Sequence, residues 1–193
     1  AAGLWTTPTE LVKIGRALSK SYREGGLLRK KTARRMLTPF MDSYGLGIQS
    51  FRGDIGYHDG WNEGFLTTWL FSLREDLCVA VMFNRSTDEL DWKQTYIAIE
   101  LFQTAEEDLA EKPSKRSLKA LCGKYEHPDD AEICVDEVFM QDGKLYAKFL
   151  GDDEFTSQLY PIGKKTFGRK GGFTKIIFGE NCLTTGGITC KKL

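Results

Sequence analysis

Every structural signal after residue 117 is that of a short β-strand, and this limits the possible fold more than any other feature of the chain. The segments are punctuated by glycines, and Asp142-Gly143 is the strongest hairpin turn in the sequence. Many short strands in so small a segment predict an antiparallel barrel or sandwich. The strands expected are Cys134–Met140, Lys144–Leu150, Thr156–Pro161, Lys175–Phe178 and Ile188–Lys191.

The part before residue 107 mixes two periodicities. Thr7-Pro8 is typical of a helix start, Gly25-Gly26 ends that helix, and a second short helix is expected before Pro39. From Tyr44 the apolar period changes to two, and a helical period returns near Asp91. The sequence therefore predicts helices at 9–22 and Lys30–Leu37 and a third helix at Asp91–Phe102. Between them it predicts four antiparallel strands: Tyr44–Phe51, Ile55–His58, Phe65–Leu73 and Leu77–Asn84.

A charged segment separates the two parts. Glu106–Ser117 is polar and contains Pro113, which is a linker composition. We therefore expect residues 1–106 to form one folded part, residues 107–117 a linker and residues 118–193 a small antiparallel β-barrel. The fold class predicted is α+β.

Charge and cysteine usage exclude several kinds of partner. The chain has 27 Lys and Arg and 27 Asp and Glu, so we expect no nucleic-acid partner, and the basic residues of 29–35 are interpreted as a solvated helix face. No apolar run is long enough for a membrane span. The five cysteines form no Cys-x-x-Cys pair and the histidines are His58 and His127, so we expect no metal and no other cofactor. Free thiols at this density favour a reducing compartment, the cytoplasm.

The strongest candidate for chemistry is the segment Tyr57–Phe65. His58 is expected at the end of a strand, where it can face a cleft, and Gly60 lets a substrate backbone approach exposed N–H groups. A histidine beside glycines is also commonly structural. The sequence contains no Ser-x-x-Lys, no Gly-x-Ser-x-Gly and no phosphate-binding glycine loop.

Four motifs, in order, resemble the C-terminal part of a serine β-lactamase-like hydrolase. They are Ala2-Gly3-Leu4-Trp5-Thr6-Thr7 with Glu10-Leu11, Tyr44-Gly45-Leu46-Gly47, His58-Asp59-Gly60 through Gly64-Phe65, and the apolar strand Val79–Asn84. The family comprises penicillin-binding proteins, class C β-lactamases, D-aminopeptidases and related esterases, mostly bacterial. Leu121-Cys122-Gly123-Lys124-Tyr125-Glu126 is similar to the opening of the lipocalin-like domain that follows some of these enzymes.

The resemblance implies roles for five residues. His58-x-Gly60 stands at the third active-site motif, where Lys-Thr-Gly is usual, and the backbone N–H of Trp61 would be one of two oxyanion donors. Asn62 and Glu63 would touch the substrate or shape the turn. A histidine in place of the usual lysine favours a D-amino peptidase or esterase over a β-lactamase. The substrate of the complete enzyme would be a small peptide, ester or lactam.

The family's nucleophile motif Ser-x-x-Lys and its second motif Tyr-x-Asn are absent from this sequence. The resemblance therefore implies a C-terminal fragment that is inactive alone and whose partner is the missing N-terminal part of the catalytic domain. The alternative is a non-catalytic binding or scaffold protein whose β-barrel binds a small ligand or partner.

The missing part would leave one face of the sheet without its helices. The strands Phe65–Leu73 and Leu77–Asn84 are apolar on both sides, so Trp69 and Phe71 would face water. We expect the chain either to self-associate through this sheet or to cover it with its two N-terminal helices.

Overall fold

The computed structural model describes residues 3–85, 87, 90, 92–126, 128, 134–150 and 154–193. The chain divides into two compact units, Ala1–Ala105 and Glu106–Leu193. The first contains an antiparallel sheet with helices and the second a closed antiparallel barrel. The predicted fold class, α+β with a small β-barrel, is confirmed. The assignment of residues 1–106 to a β-lactamase-like domain stays a prediction.

The first unit begins with two helices, α1 (Pro8–Arg23) and α2 (Lys30–Leu37). The Thr7 hydroxyl accepts the Glu10 N–H at 3.3 Å, and the Glu10 carboxylate accepts the Thr7 N–H at 3.2 Å. This reciprocal capping box satisfies two of the N–H groups that a helix start leaves unpaired. The Thr7 N–H also lowers the pKa of Glu10. The predicted start of α1 and both bounds of α2 are confirmed.

Four antiparallel strands follow and pair in the order β1-β2-β3-β4. Their bounds are β1 (Gln49–Phe51), β2 (Ile55–Asn62), β3 (Phe65–Ser72) and β4 (Cys78–Phe83). The predicted strands Phe65–Leu73 and Leu77–Asn84 are each one or two residues too long. Strand β4 lies at an edge of the sheet, with a pairing partner among the described strands on one side only. All six of its residues are half-buried.

The predicted strand Tyr44–Phe51 is wrong over most of its length. Gly45 donates its N–H to the Ile48 carbonyl, and Leu46 donates to the Met36 carbonyl at the end of α2, both at 2.8 Å. These bonds hold residues 44–48 in a turn against α2. A Cβ at Gly45 would collide with the Met36 carbonyl oxygen, so a glycine is required at this close approach.

Both faces of the sheet are covered. On one face, Trp69 and Phe71 are buried in a core with α1 and α2 residues Leu11, Leu18 and Leu37. On the other face lies a third helix, α3 (Lys93–Leu109), whose Thr95 hydroxyl lies 2.8 Å from that of Thr68. The face that carries Trp69 is therefore covered by the N-terminal helices, as the second of the two sequence alternatives expects. Self-association stays a prediction.

The face of α3 that packs differs from the one expected. Among the residues expected to pack, Ile99 and Phe102 are buried, but Trp92 and Tyr96 are 62% and 66% exposed. Ala98 is buried in their place. The helix carries apolar residues around much of its circumference, so periodicity alone selects the wrong stripe. The expected first residue, Asp91, lies outside the described residues.

The second unit contains helix α4 (Lys115–Leu121) and eight strands that close into a barrel in the order β10-β11-β12-β5-β6-β7-β8-β9. The strands are β5 (Gly123–Glu126), β6 (Cys134–Gln141), β7 (Lys144–Leu150), β8 (Phe155–Gly163), β9 (Thr166–Arg169), β10 (Lys175–Phe178), β11 (Cys182–Thr185) and β12 (Ile188–Lys192). The five predicted strands are present, while β5, β9 and β11 were missed. Asp142-Gly143 forms the β6–β7 turn with both residues at positive φ, as expected.

The segment 107–117, expected as a linker, contains the end of α3 and the start of α4. The Ser114 hydroxyl caps α4 by accepting the Ser117 N–H at 3.1 Å. The barrel interior is filled by apolar side chains that include Val135, Phe149 and Leu183. An eight-stranded barrel is just wide enough for side chains to fill it in this way.

Candidate functional site

The candidate segment lies on β2, but His58 is not at the end of a strand as expected. It is in the middle of β2, which continues through Gly60 to Asn62. The turn to β3 is the two-residue connection Glu63-Gly64, where Gly64 has φ 77°. The Asn62 side-chain oxygen accepts the Glu63 N–H at 3.0 Å and shapes this turn. The side chains of Trp61 and Asn62 continue the strand's alternation between faces, and β2 stays paired with β3 beyond Gly60 as far as Asn62.

The strand separates the five expected site residues. Side chains alternate between the two faces of a strand, so His58 and Asn62 share the face on which Trp69 and Phe71 pack. Gly60 leaves open space on that face, since a Cβ there would lie 3.9 Å from its nearest neighbour, Thr67. The Trp61 side chain points to the opposite face and is 76% exposed. Glu63 is exposed in the turn.

One edge of β2 is open beside His58. Strand β1 pairs with β2 only along Ile55–Tyr57, so in the described part of the chain no strand pairs with His58–Asn62 on that side. The two-residue turn makes Asn62 and Phe65 a hydrogen-bonded pair, and the pattern alternates from there. The N–H and C=O groups of Asp59 and Trp61 therefore point away from β3 and towards the open edge.

A buried indole lies across from the imidazole. Trp69 is the cross-strand partner of His58, and its Nε1 is buried without a hydrogen-bond partner among the described residues. Its ring packs edge-on against Phe71, with centroids 5.2 Å apart. Sequence reasoning placed Trp69 on the sheet but not beside His58, because that pairing depends on the β2–β3 register.

A polar cluster supports β2 from the opposite face. The Thr68 and Thr95 hydroxyls lie 2.8 Å apart near Tyr57 and Asp59, and burial raises the pKa of this tyrosine to about 12. The Thr68–Thr95 contact ties β3 to α3 beside Tyr57, the last residue of β2 that pairs with β1. Sequence reasoning missed it, because Thr95 is distant in sequence and no local motif marks it.

Metal ligands do not converge here. Among residues placed by the structure, no three His, Cys, Asp or Glu side chains are grouped closely enough to hold an ion. His127 lies outside the described residues. The chemistry that the arrangement can supply is hydrogen bonding from strand-edge peptide groups and from one imidazole.

Comparison with known proteins finds distant structural likeness only. No protein-family model matches the chain, and no curated protein matches it. The octameric penicillin-binding protein homologue from Pyrococcus abyssi is 19% identical, with a TM-score of 0.39 over 95% of this chain and 46% of its own. The structure of SurE with D-Leu is 17% identical, with a TM-score of 0.40 over 96% of this chain and 49% of its own. The structure of SurE is 16% identical, with a TM-score of 0.42 over 97% of this chain and 48% of its own. The chain spans about half the length of the solved structures it matches.

No helix in the described ranges is long and apolar enough to cross a membrane.

Proposed function

We propose that this chain supplies the substrate-binding strand of a serine hydrolase of the penicillin-recognising type, acting through an acyl-enzyme. The observation that carries the proposal is the open edge of β2, where no strand in the described part of the chain pairs with the peptide groups of Asp59 and Trp61, beside His58 and Gly60. A substrate backbone laid along this edge can pair with β2 as an added strand.

Each residue then has a role that its place on the strand permits. The Trp61 N–H donates to the oxyanion of the tetrahedral intermediate, and the loss of one such donor costs about 3 kcal/mol in the transition state. The His58 imidazole contacts a polar group of the substrate on the face where Gly60 leaves space. Asn62 shapes the turn, and Glu63 is exposed at the rim of the site.

The nucleophile must come from another segment. Since the sequence holds neither Ser-x-x-Lys nor Tyr-x-Asn, the partner proposed is the N-terminal part of the same catalytic domain. The substrate class is a small peptide, ester or lactam, with a D-amino peptide or ester favoured by His58. The five cysteines are free thiols, which supports a reducing compartment such as the cytoplasm.

Reading the genomic DNA upstream of the Ala1 codon tests the parentage. An in-frame Ser-x-x-Lys followed by Tyr-x-Asn or Ser-x-Asn is the expected result. A stop codon and a ribosome-binding site directly before Ala1 would instead favour the binding or scaffold protein.

Titration with N-acetyl-D-alanyl-D-alanine tests the edge itself. We expect the ¹⁵N amide signals of Asp59 and Trp61 to shift progressively, because their N–H groups are the ones not paired to β3. Gly60→Ala should abolish the shifts without unfolding the sheet, since the new methyl group has space in the fold but occupies the approach to the edge. Shifts confined to other residues, or unaffected by Gly60→Ala, would show that this edge does not bind the peptide.

Acylation is expected to be absent from the isolated chain. Fluorescent penicillin should not label the purified 193-residue protein, and nitrocefin should not be hydrolysed above background, because an oxyanion donor without the family's serine has no acyl-enzyme to stabilise. Gel fluorescence and absorbance assays measure both. Stoichiometric labelling at any residue would contradict the assignment of the nucleophile to another segment.

A further inference from the structure

Strand β4 leaves one edge of the sheet open along its whole length. It pairs with β3 on one side, and no strand in the described part of the chain pairs with it on the other. Its six residues, Cys78–Phe83, are all apolar and half-buried. Edge strands in natural proteins usually carry a charged residue, a proline or a bulge that prevents further pairing. Strand β4 has no charged residue or proline, and its register with β3 is regular, so this edge is open to another strand.

The register with β3 determines which backbone groups of β4 point outwards. The Ser72 N–H donates to the Leu77 carbonyl at 2.9 Å, which makes these two residues a hydrogen-bonded pair. Hydrogen-bonded and non-hydrogen-bonded pairs alternate along an antiparallel ladder. The peptide groups of Cys78, Ala80 and Met82 therefore point away from β3, and those of the residues between them point towards it. The open edge presents three N–H and three C=O groups.

This edge is complementary to a second copy of itself. Two β4 strands related by a twofold axis at Ala80 run antiparallel, with Ala80 facing the partner's Ala80 and Cys78 facing the partner's Met82. In this register every outward-pointing residue enters a hydrogen-bonded pair, and each such pair exchanges two N–H···O bonds. Val79 then lies across from the partner's Val81, and β-branched cross-strand pairs of this kind stabilise a sheet.

The charges beyond the two ends of β4 match in the same register. Glu75 in the β3–β4 turn and Arg85 after the strand are each five residues from Ala80, so Glu75 of one copy comes close to the partner's Arg85. Both residues are exposed, and neither forms an ion pair with another residue in the described ranges. The other charges of this turn are already paired within the chain. The twofold axis repeats the contact, so two copies gain two opposite-charge pairs.

The helix beside β4 leaves room for a second copy. Helix α1 lies across β3 and β4 on one face, with Gly15 against Phe71 and Cys78. Neighbouring strands are about 4.8 Å apart. Two α1 helices placed by the axis would therefore lie roughly 10 Å apart, which is a normal distance between packed helices.

We propose that this chain forms a twofold-symmetric dimer in which the β4 strands of two copies pair antiparallel about Ala80. The two four-stranded sheets become one continuous sheet. The interface is the edge of the sheet and not the face that carries Trp69, which α1 and α2 cover within the chain. This inference does not depend on the proposed hydrolase function, which uses the edge of β2.

Amide hydrogen exchange followed by NMR tests the pairing residue by residue. In the dimer, the amides of Cys78, Ala80 and Met82 should exchange at least tenfold more slowly than in the monomer obtained by dilution, because only pairing with the partner protects them. The amides of Val79 and Val81, which are bonded to β3, should exchange slowly in both states. Sedimentation equilibrium over the same dilution series measures the mass. Monomer mass at every concentration, or a dimer whose three edge amides exchange rapidly, would overturn the proposal.

Variants test the register by the same sedimentation experiment. Ala80→Pro should abolish the dimer and leave the sheet folded, because the lost N–H points away from β3. Arg85→Glu should raise the dimer Kd about tenfold, and Glu75→Arg combined with Arg85→Glu should restore it. Arg35→Glu, the same charge change at an exposed position on α2, should leave it unchanged.

A dimer of wild-type strength in both Ala80→Pro and Arg85→Glu would show that β4 is not the interface. Equal weakening by Arg85→Glu and Arg35→Glu would show that net charge, and not the register, sets the affinity. If Ala80→Pro fails to fold, the charge-reversal variants and the exchange of the three edge amides still decide.

Discussion

Replacing Gly56 with alanine is expected to destabilise the first unit by about 3 kcal/mol, in the upper range for an overpacked core. A Cβ at this position would lie within 2.7 Å of three atoms of the Phe71 ring, far inside van der Waals contact. Phe71 is fully buried between α1 and the sheet, and its ring packs against Trp69. Because neither aromatic ring has space to move aside, β2 must shift and the β2–β3 register is strained.

The matched control lies four residues along the same strand and on the same face. Gly60→Ala meets nothing closer than 3.9 Å, so its effect on stability should stay within about 0.5 kcal/mol. Both variants can be compared by urea unfolding followed by tryptophan fluorescence. All four tryptophans, at positions 5, 61, 69 and 92, belong to the first unit, so this signal reports that unit alone. Equal midpoints for the two variants would contradict the packing described for Phe71.

The second large effect is expected for Asp54→Ala, with a loss of about 3 kcal/mol in the same unfolding experiment. The Asp54 carboxylate pairs with Arg52 at 3.0 Å and with Arg74 at 2.8 Å. The Arg52 side chain is 1% exposed, so removing the carboxylate leaves a buried guanidinium with less compensation. These pairs lie at the turn between β1 and β2, at the opposite end of the β1–β2 pairing from the open edge.

Asp76→Ala is the control for Asp54, since its bidentate pair with Arg16 is about half exposed on both sides. Solvent screens such a pair, so little change in the unfolding midpoint is expected. The Arg16 side chain lowers the pKa of Asp76, so the small stabilisation is present above the unfolded-state pKa and is lost as the pH falls through the folded one. A loss as large as that of Asp54→Ala would show that burial does not distinguish the two pairs.

Local chemistry in the sequence accounts for much of the fold. The helix start at Thr7-Pro8, the bounds of α2 and the Asp142-Gly143 turn each depend on neighbours within four residues, and each is found where the sequence predicts it. The five predicted barrel strands are short segments with apolar residues, set between glycines and turn residues. The strands β5, β9 and β11 were not predicted; each has four residues, but so does the predicted strand β10, so length alone does not separate them.

The sequence proposes the candidate segment but does not determine its geometry. Four of the five residues lie on β2 and Glu63 lies in the turn after it, but the register with β3 places His58 in the middle of the strand and puts the Trp61 side chain on the opposite face. A shift of one residue would exchange the two faces, and no local signal distinguishes these registers. The Glu63-Gly64 turn and the buried pair of Phe71 and Gly56 select the observed one.

Sequence by itself determined the fold class, the starts of α1 and α2 and the segment proposed for the chemistry, because caps, turns and alternation act over a few residues. Tertiary structure alone decided which face of α3 packs, how residues 44–48 turn against α2, and where the edge of β2 is left open. Those features depend on contacts between segments far apart in sequence. The local sequence is compatible with more than one helix face, turn or strand register, and only the packing of the whole core selects among them.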